Sequence, residues 1–361
     1  MRDVLPPKAL RQSRVGSRLM RTFELFGYGR VWLPLFEYAR VLERAEVHAG
    51  GALRFVEPAS GDVVALRSDM TPQVARVVST RYRHAPRPIR LCYQGSVLRR
   101  RRERARTESQ VIQAGAELVG QGGVEADLEV IELLVDAVSR AGLKDFVLDI
   151  GHAAITSSLL DPLVAAEREA LVDALSTKDS VELERRARRS ALEPRQAKAL
   201  VALAELHGGQ EIWPEAERVL RGTAAAEPAA RLRELYLRLG EQPWAQRVVV
   251  DLGEVRGFDY YTGPVFQLLA LGPGEPIASG GRYDRLYERF GMHGMCAAGF
   301  AVDVNNLCWA LEHAGVADPS YPRVVAAAQV PRTLVSRLRQ RDIACCVAEG
   351  DAVEYAEAHG A

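Results

Sequence analysis

Apolar residues recur at helical spacing in several parts of the chain. Residues 8–26 carry apolar side chains about one helical turn apart and are followed by Gly27, a typical C-cap. Residues 123–142 have a clear apolar stripe, and a further helix is predicted over residues 71–82. The pattern therefore predicts three helices in the first part of the sequence.

Apolar and β-branched runs between these helices predict strands. They cover residues 31–37, 53–57, 63–67, 89–99, 109–120 and 145–151. The second and third runs are predicted to form a hairpin with Gly61-Asp62 at its turn. Pro34 places the first run at a sheet edge or an interface, because proline cannot complete a central ladder.

The strand predicted over residues 109–120 carries polar residues at alternate positions. Gln113, Gly115 and Glu117 fall on one face, since successive side chains of a strand point to opposite faces. Such a face lies either in water or along a pocket above a sheet.

The middle of the chain differs from the rest in composition. Residues 162–242 are rich in Ala, Leu, Glu and Arg and contain charge pairs at i,i+4 spacing. Prolines divide them into four or five short helices. We interpret these helices as an inserted bundle, with a helical layer of the main domain as the alternative.

The sheet resumes after this helical region. Residues 248–252 and 265–271 are strand-like, residues 299–313 predict a strand and a helix, and the tail predicts a β-α-β piece. The predicted domains are a core of 1–161 with 246–317, an inserted helical subdomain of 162–245, and a short C-terminal α/β segment of 318–361.

Composition adds few constraints. The 361 residues include 47 Lys and Arg against 47 Asp and Glu, so the net charge is zero and nothing global favours nucleic acid or a membrane surface. The five cysteines are odd in number and lack C-x-x-C spacing, which disfavours a zinc site or a disulfide framework. With no signal peptide or apolar span evident, we expect a cytoplasmic protein.

The stretch 255–267 concentrates polar chemistry between two strand-like runs. It contains Arg256, Asp259, Tyr260 and Tyr261. Arginine pairs bidentately with a carboxylate, and a tyrosine hydroxyl can donate to or accept from a ring nitrogen, so these residue types suit a small zwitterion. The alternative is a hairpin with interfacial tyrosines, which are common in strands.

Two blocks around this stretch carry a family resemblance. Residues 256–263 run Arg-Gly-Phe-Asp-Tyr-Tyr-Thr-Gly, and residues 279–284 run Ser-Gly-Gly-Arg-Tyr-Asp. In this order they resemble the histidine-specific signature of histidyl-tRNA synthetases and their relatives, which include the ATP phosphoribosyltransferase regulatory subunits. The resemblance covers about residues 1–315 and implies the α+β fold of class II aminoacyl-tRNA synthetases, with an antiparallel sheet flanked by helices. The helix and strand before residue 38 resemble the family's dimer-forming first motif.

The resemblance also implies a set of histidine-binding residues. Asp69 with Gln113 would take the ammonium group, and Arg99 or Arg256 the carboxylate. Glu117 and Tyr261 would bind the two imidazole nitrogens. The whole expected set is Asp69, Thr71, Arg99, Gln113, Glu117, Arg256, Tyr260, Tyr261 and Tyr283. Asp69 and Thr71 have an equally good alternative explanation, which is capping of the helix that starts there.

The positions that would hold ATP in the family are changed. Arg101 replaces a glutamate that recognises adenine, and Asn305-Asn306 replace a glutamate and the arginine that binds the γ-phosphate. Asparagine keeps hydrogen bonding but lacks the fixed charge. Efficient adenylation is therefore not expected, and the basic run over residues 99–106 is interpreted as a solvated loop or a polyanion contact.

The resemblance therefore implies a non-catalytic, histidine-binding regulatory subunit. Such a subunit activates the short catalytic form of ATP phosphoribosyltransferase, at the first step of histidine biosynthesis, and gives it histidine feedback. The expected partners are that catalytic subunit, L-histidine and a second copy of the chain within a hetero-oligomer. No catalytic residue, metal, cofactor, membrane or tRNA is expected. The alternatives are an active histidyl-tRNA synthetase and a synthetase-like protein with another ligand.

Overall fold

The computed structural model describes residues 3–45, 53–98, 110–255, 261–317 and 323–359. The chain divides into two compact units. One comprises Met1–Asp3 with Val15–Val316, and the other comprises Val4–Arg14 with Ala317–Ala361. The three-part domain division made from the sequence stays a prediction.

The helices account for most of the regular structure. In chain order they are α1 (Lys8–Leu25), α2 (Ala39–Arg44), α3 (Thr71–Arg81), α4 (Val124–Ala141), α5 (Ala153–Leu160), α6 (Ala165–Ser176), α7 (Ser180–Arg189), α8 (Pro194–Leu203), α9 (Trp213–Leu220), α10 (Ala226–Leu239), α11 (Asp284–Glu288), α12 (Val304–His313), α13 (Arg332–Arg339) and α14 (Ala352–His359).

The strands are shorter and are spread along the whole chain. In chain order they are β1 (Gly29–Arg30), β2 (Phe36–Tyr38), β3 (Arg54–Val56), β4 (Val63–Leu66), β5 (Ile89–Leu98), β6 (Gln110–Val119), β7 (Val147–His152), β8 (His207–Gly208), β9 (Val248–Asp251), β10 (Pro264–Leu269), β11 (Ala278–Arg282), β12 (Ala297–Asp303), β13 (Arg323–Ala327) and β14 (Ala344–Ala348).

A nine-stranded sheet forms the centre of the larger unit. Its strand order is β1-β5-β6-β12-β11-β10-β7-β9-β8. The pairs β1–β5 and β7–β9 are parallel, and the other pairs in this sheet are antiparallel. A second sheet, β2-β4-β3, is antiparallel throughout. The fold is thus a largely antiparallel sheet flanked by helices, as the resemblance implies.

The main core lies between this sheet and the helices along one of its faces. Phe23 of α1 meets Phe300 of β12 edge-on, with ring centroids 5.5 Å apart. Ile131 of α4 and Leu118 of β6 are fully buried in the same cluster. Burying each such side chain contributes about 1.5–3 kcal/mol, so this face fixes the sheet on which the polar residues of β6 are arranged.

The helices predicted over residues 8–26, 71–82 and 123–142 are confirmed as α1, α3 and α4. The caps of α4 explain its bounds, because Gly123 and Gly142 flank it with φ of 82° and 115°. These left-handed values favour glycine.

The strand predicted over residues 31–37 is wrong. The chain instead forms β1 and β2 with a non-strand segment between them. The buried guanidinium of Arg67 donates to the carbonyl oxygens of Leu33 (2.8 Å) and Pro34 (3.0 Å). A side chain thus satisfies backbone acceptors that a strand would offer to a neighbouring strand, and Pro34 supplies no N–H to a ladder.

The hairpin alternative for the two strands around residues 255–267 is also wrong. β7 lies between β9 and β10, pairing parallel to β9 and antiparallel to β10. β9 and β10 are therefore not paired with each other.

The helical region contains five helices, α6 to α10, which agrees with the predicted four or five. Its apolar side chains, including Trp213 and Leu232, belong to the same buried cluster as the main core. β8, which lies between α8 and α9, pairs with β9 at the edge of the nine-stranded sheet.

The C-terminal piece confirms the predicted β-α-β order. β13 and β14 are parallel neighbours with α13 between them in sequence. Val335 of α13 and Cys345 of β14 are buried in a small cluster of their own. α14 follows and was not predicted.

Candidate ligand-binding site

Small residues on three neighbouring strands form the floor of a pocket. The register places Glu117 of β6 opposite Gly299 of β12, and Gly299 opposite Gly281 of β11. Residues directly opposite in antiparallel strands share a face, so the polar face predicted for β6 continues across the sheet as glycine and small side chains. Little side-chain bulk stands above this part of the sheet.

The cavity above this floor has a volume of about 130 Å³. A single water needs only about 10–15 Å³, so a small molecule fits. The lining residues are Asp69, Thr71, Gln113, Tyr261, Ser279, Tyr283, Gly299, Phe300 and Ala301.

Asp69 and Gln113 form one wall of the cavity. Gln113 Nε2 donates to Asp69 Oδ1 at 2.9 Å, and Gln113 Oε1 accepts from the backbone N–H of Met70 at 3.2 Å. Met70 N–H also donates to Asp69 Oδ1 at 2.8 Å. The carboxylate is thus held at the start of α3, half-buried beside the cavity. A negative charge in this position suits a cationic ligand group.

Thr71 contacts the floor and does not cap its helix. Its hydroxyl donates to Glu117 Oε1 at 2.7 Å. The N-cap of α3 is Met70, and no side chain makes a cap bond there. The capping explanation of Thr71 is therefore wrong, and the residue belongs to the pocket.

Glu117 is the most unusual group in the site. Only 1% of the residue is exposed, and burial raises the pKa of its carboxyl well above the usual value. The hydroxyls of Thr71 and Tyr93 lower that pKa, and the charge of Asp69 raises it. Oε2 of Glu117 is buried and has no hydrogen-bond partner within the described ranges.

Gly299 leaves the space in which that oxygen lies. A Cβ added to Gly299 would overlap Glu117 Oε2 and the hydroxyl of Tyr283. Any larger residue here would displace both groups, so the glycine brings a carboxylate oxygen and a phenol hydroxyl together over the floor.

Two tyrosines cover the other side of the cavity. The rings of Tyr261 and Tyr283 have centroids 6.4 Å apart. Tyr261 lies against Gly281, whose added Cβ would be 2.8 Å from Cδ1 of the ring. Burial raises the pKa of Tyr261, and the charges of Asp69 and Glu117 raise it further, so its hydroxyl stays protonated. A protonated hydroxyl can donate one hydrogen bond and accept another.

Arg282 holds the segment between these tyrosines. Its guanidinium donates to Asp127 Oδ1 of α4 at 2.7 and 3.0 Å, and its carbonyl oxygen accepts from Thr262 N–H at 2.7 Å. Asp284 N–H donates to the Thr262 hydroxyl at 2.9 Å. Tyr261 and Tyr283 each adjoin one of these fixed residues.

Six of the nine expected site residues are described, and they lie together. Asp69, Thr71, Gln113, Tyr261 and Tyr283 line the cavity. Glu117 lies beside the cavity, where its Oε2 occupies the space next to Gly299. Arg99, Arg256 and Tyr260 fall outside the described residues, so the carboxylate-binding part of the set stays a prediction.

Tyr93 is the residue that sequence reasoning missed. It is fully buried on β5, and its hydroxyl donates to Glu117 Oε1 at 3.0 Å. The available signal was a tyrosine in the strand before β6, but its alignment with Gly115 requires the register, which the sequence does not give.

Asn305 and Asn306 use their side chains within the fold. Asn305 Oδ1 accepts from the backbone N–H of Ile112 at 3.1 Å, and Asn306 Nδ2 donates to the carbonyl oxygen of Pro276 at 2.9 Å. Arg101 lies outside the described residues. The start of α12 thus offers neutral amides that bind neighbouring backbone.

One carboxylate cluster in the described ranges has a spacing that could suit a cation. Asp149, Asp251 and Glu254 lie within 4.8 Å of one another. Lys178 Nζ already contacts Asp251 Oδ1 at 2.8 Å and neutralises part of this charge.

His152, at the end of β7, accepts from Ala154 N–H as the N-cap of α5, which is a structural role.

In the described part of the chain, no helix has both the length and the apolar character needed to cross a bilayer.

Comparison with known proteins identifies one family of relatives. The histidyl-tRNA synthetase family model matches residues 1–307. A protein from an Anaeromyxobacter species is 42% identical over 90% of this chain and 95% of its own, and one from Moorella thermoacetica is 38% identical over 84% and 79%. Both are named ATP phosphoribosyltransferase regulatory subunit. A Bacillus halodurans crystal structure, described as such a regulatory subunit/histidyl-tRNA synthetase, superposes with a TM-score of 0.86, at 27% identity, over 99% of this chain and 94% of that one.

Proposed function

Since the chain belongs to the histidyl-tRNA synthetase family, and within it to the ATP phosphoribosyltransferase regulatory subunits, we propose that it binds free L-histidine and regulates a catalytic subunit. Membership of this group makes it a non-catalytic subunit. The ligand, the residues that bind it and the assembly are the parts that we propose.

The buried Oε2 of Glu117 supports histidine as the ligand. A buried polar atom without a hydrogen bond destabilises the folded protein, and a carboxylate oxygen does so most strongly. Within the described ranges, no protein group bonds this oxygen, although it lies beside the cavity and the Tyr283 hydroxyl. An imidazole N–H is a donor that would satisfy it.

The remaining contacts are those that the family resemblance implies. Asp69, held by Gln113, takes the ammonium group, and the Tyr261 hydroxyl takes the second imidazole nitrogen. Arg99 or Arg256 takes the carboxylate. The set therefore pairs each polar group of histidine with a residue of opposite hydrogen-bonding character or charge.

ATP has weaker support as a ligand. Catalysis of phosphoryl or adenylyl transfer requires cations aimed at the phosphates. Asn305 and Asn306 carry no charge, and both amides bond backbone groups of the chain itself. Each lost charged contact weakens binding by about 1.5–3 kcal/mol. The alternative of an active histidyl-tRNA synthetase is correspondingly disfavoured, and tRNA is not a proposed partner.

We also propose an assembly in the cytoplasm with the short catalytic form of ATP phosphoribosyltransferase. Histidine bound to this chain would change the activity of that subunit, and ligands of the catalytic subunit would change histidine affinity by the same factor at equilibrium. No metal or cofactor is part of the proposal.

A homodimer within that assembly is proposed on the second sheet. Phe36, Tyr38 and Phe55 lie on one face of β2-β4-β3, and each is more than 40% exposed. The rings of Phe36 and Phe55 are in contact, with centroids 6.0 Å apart. Exposed apolar faces of this kind mark protein interfaces. Phe55→Glu should dissociate the dimer, as measured by light scattering, while a monomeric wild-type protein would contradict the proposal.

Calorimetric titration with histidine and with ATP, each alone, tests the ligand. We expect saturable binding of histidine and none of ATP. Mixing the chain with the short catalytic subunit should then give a complex whose activity responds to histidine. Absence of histidine binding, or ATP–pyrophosphate exchange that depends on histidine, would overturn the proposal.

A further inference from the structure

The two oxygens of Glu117 have different surroundings. Oε1 accepts from the Thr71 hydroxyl at 2.7 Å and from the Tyr93 hydroxyl at 3.0 Å. Oε2 has no protein partner within the described residues. A carboxylate that moved away from this position would lose both hydroxyl donors. The two hydroxyls therefore hold one oxygen of Glu117 in place, and the other oxygen, Oε2, is left for a different donor.

The backbone register lets Tyr93 make this bond. Tyr93 of β5 lies directly opposite Gly115 of β6, and Glu117 is two residues further along the same face. An added Cβ on Gly115 would lie 2.5 Å from the Tyr93 hydroxyl oxygen and 2.6 Å from Cζ. Real Cβ atoms do not approach so closely, so only glycine lets the tyrosine lie across β6 and reach Glu117.

Tyr93 cannot contact a ligand in the cavity in the way that the lining tyrosines can. It is fully buried and is not among the residues that line the cavity, and its hydroxyl lies 3.4 Å from that of Thr71. Its bond to Glu117 is accordingly its principal polar contact. Any effect of the Tyr93 hydroxyl on a ligand must therefore act through the groups that it contacts, and Glu117 is the closer of these at 3.0 Å.

We propose that Tyr93, with Gly115 opposite it, is a positioning residue that sets ligand selectivity by holding Glu117 with only Oε2 directed to the ligand. This inference rests on the proposed function. A carboxylate fixed in this manner accepts one N–H from one direction. It therefore favours a ring with an N–H at that place over a ring of similar shape without one.

The test compares histidine with 3-(thiazol-4-yl)alanine, whose ring has a nitrogen but no N–H. Calorimetry on the full chain should show that the wild type prefers histidine strongly. Tyr93→Phe removes one hydroxyl and leaves the ring. We expect histidine to bind about tenfold more weakly and the thiazole affinity to change by less than about twofold. The preference for histidine over the thiazole should therefore fall by about five- to tenfold.

The pH dependence gives a second readout. Histidine binding should weaken as the pH falls and Glu117 becomes protonated. Loss of the Tyr93 donor removes a contact that favours the charged carboxylate, so Tyr93→Phe should move this weakening to higher pH. A role in packing alone would not move the profile.

Tyr28→Phe is a matched control. Tyr28 is also buried, and its hydroxyl donates to Glu129 at 2.9 Å. This variant loses the same kind of tyrosine–carboxylate bond away from the cavity, and the histidine-to-thiazole preference should stay that of the wild type.

The outcomes separate the two proposals. A wild type that binds no histidine overturns the proposed function and this inference with it. A wild type that binds histidine, with an unchanged preference in Tyr93→Phe, overturns the inference alone. If Tyr93→Phe does not fold, Thr71→Val removes the other hydroxyl, with Thr71→Ser as its rescue. If Thr71→Val narrows the preference for histidine over the thiazole and Thr71→Ser restores it, the hydroxyls position Glu117 as proposed. An equal loss of affinity for both ligands overturns the proposal.

Discussion

Two buried carboxylates in this molecule have opposite surroundings. Asp127 of α4 accepts two hydrogen bonds from the guanidinium of Arg282. Glu117 of β6 accepts only from two neutral hydroxyls, and one of its oxygens has no partner within the described ranges. Asp127 is thus paired with a cation of the chain itself, whereas Glu117 has a buried oxygen for which the described residues supply no donor.

The difference separates a polar pair that holds the fold from a carboxylate that, under the proposed function, binds a ligand. Arg282 joins α4 to the segment that carries the pocket tyrosines, so its pair with Asp127 determines structure. Glu117 Oε2 lies beside the cavity, in the space that Gly299 leaves by having no Cβ. A buried charge with an incomplete set of partners is typical of a functional site.

The start of α12 differs from both carboxylates because it carries no charge. Asn305 and Asn306 each bond a backbone group of a neighbouring segment, while Asn306 Oδ1 is buried without a partner in the described residues. In synthetases, as the resemblance implies, this position supplies a charge to ATP. Here it offers neutral amides, which lack the fixed charge that a phosphate group would need.

The largest expected effect is a loss of stability when the ion pair between Asp127 and Arg282 is broken. Arg282→Met leaves Asp127 buried without its cation, and loss of one partner of a buried pair destabilises a protein by about 3–5 kcal/mol. Burial raises the pKa of Asp127 even though Arg282 opposes that shift. Urea unfolding should show the loss, and Asp127→Leu combined with Arg282→Met should recover most of it. A single-variant loss below about 1 kcal/mol would mean that water reaches this pair.

Glu117→Gln should weaken ligand binding. The amide oxygen can still accept from Thr71 and Tyr93, which directs the amide N–H₂ toward the ligand. A donor then faces the imidazole N–H, and we expect a loss of about 1.5–3 kcal/mol in histidine binding, at least about tenfold, by calorimetry. Equal affinity in wild type and variant would remove Glu117 from the site.

The same variant should change how stability depends on pH. Burial raises the pKa of Glu117 above 4.5, so on raising the pH the unfolded chain releases this proton first and the folded protein loses stability until its own pKa is passed. Gln cannot ionise. The variant should therefore gain stability relative to wild type as the pH rises above the usual carboxyl pKa of 4.5, measured by unfolding at each pH. A difference that is constant with pH would contradict a raised pKa.

Much of the fold was predictable because helical periodicity is local. The stripe of α4 and the glycines at its ends are present in the sequence, and the alternation of Gln113 and Glu117 predicts their shared face. The strand over residues 31–37 failed because Arg67, distant in sequence, takes the carbonyl oxygens of Leu33 and Pro34. Contacts between distant residues leave no local pattern.

The candidate site shows the same limit. Asp69, Gln113 and Glu117 were found through motifs, which record residue types at fixed spacing. Tyr93 was missed because its role depends on the register of β5 against β6 and on the space above Gly115. Neither property belongs to any single stretch of sequence.

Asn305→Ala gives the smallest expected effect and tests whether the start of α12 is structural. The variant removes the bond to Ile112 N–H, which lies on β6 next to Gln113. Because a neutral hydrogen bond contributes about 0.5–1.5 kcal/mol, stability should fall by about 1 kcal/mol in urea unfolding. Histidine affinity should change by less than about twofold, since Asn305 does not line the cavity. A large loss of histidine binding would show instead that this amide holds β6, and with it Gln113, in the position that the ligand requires.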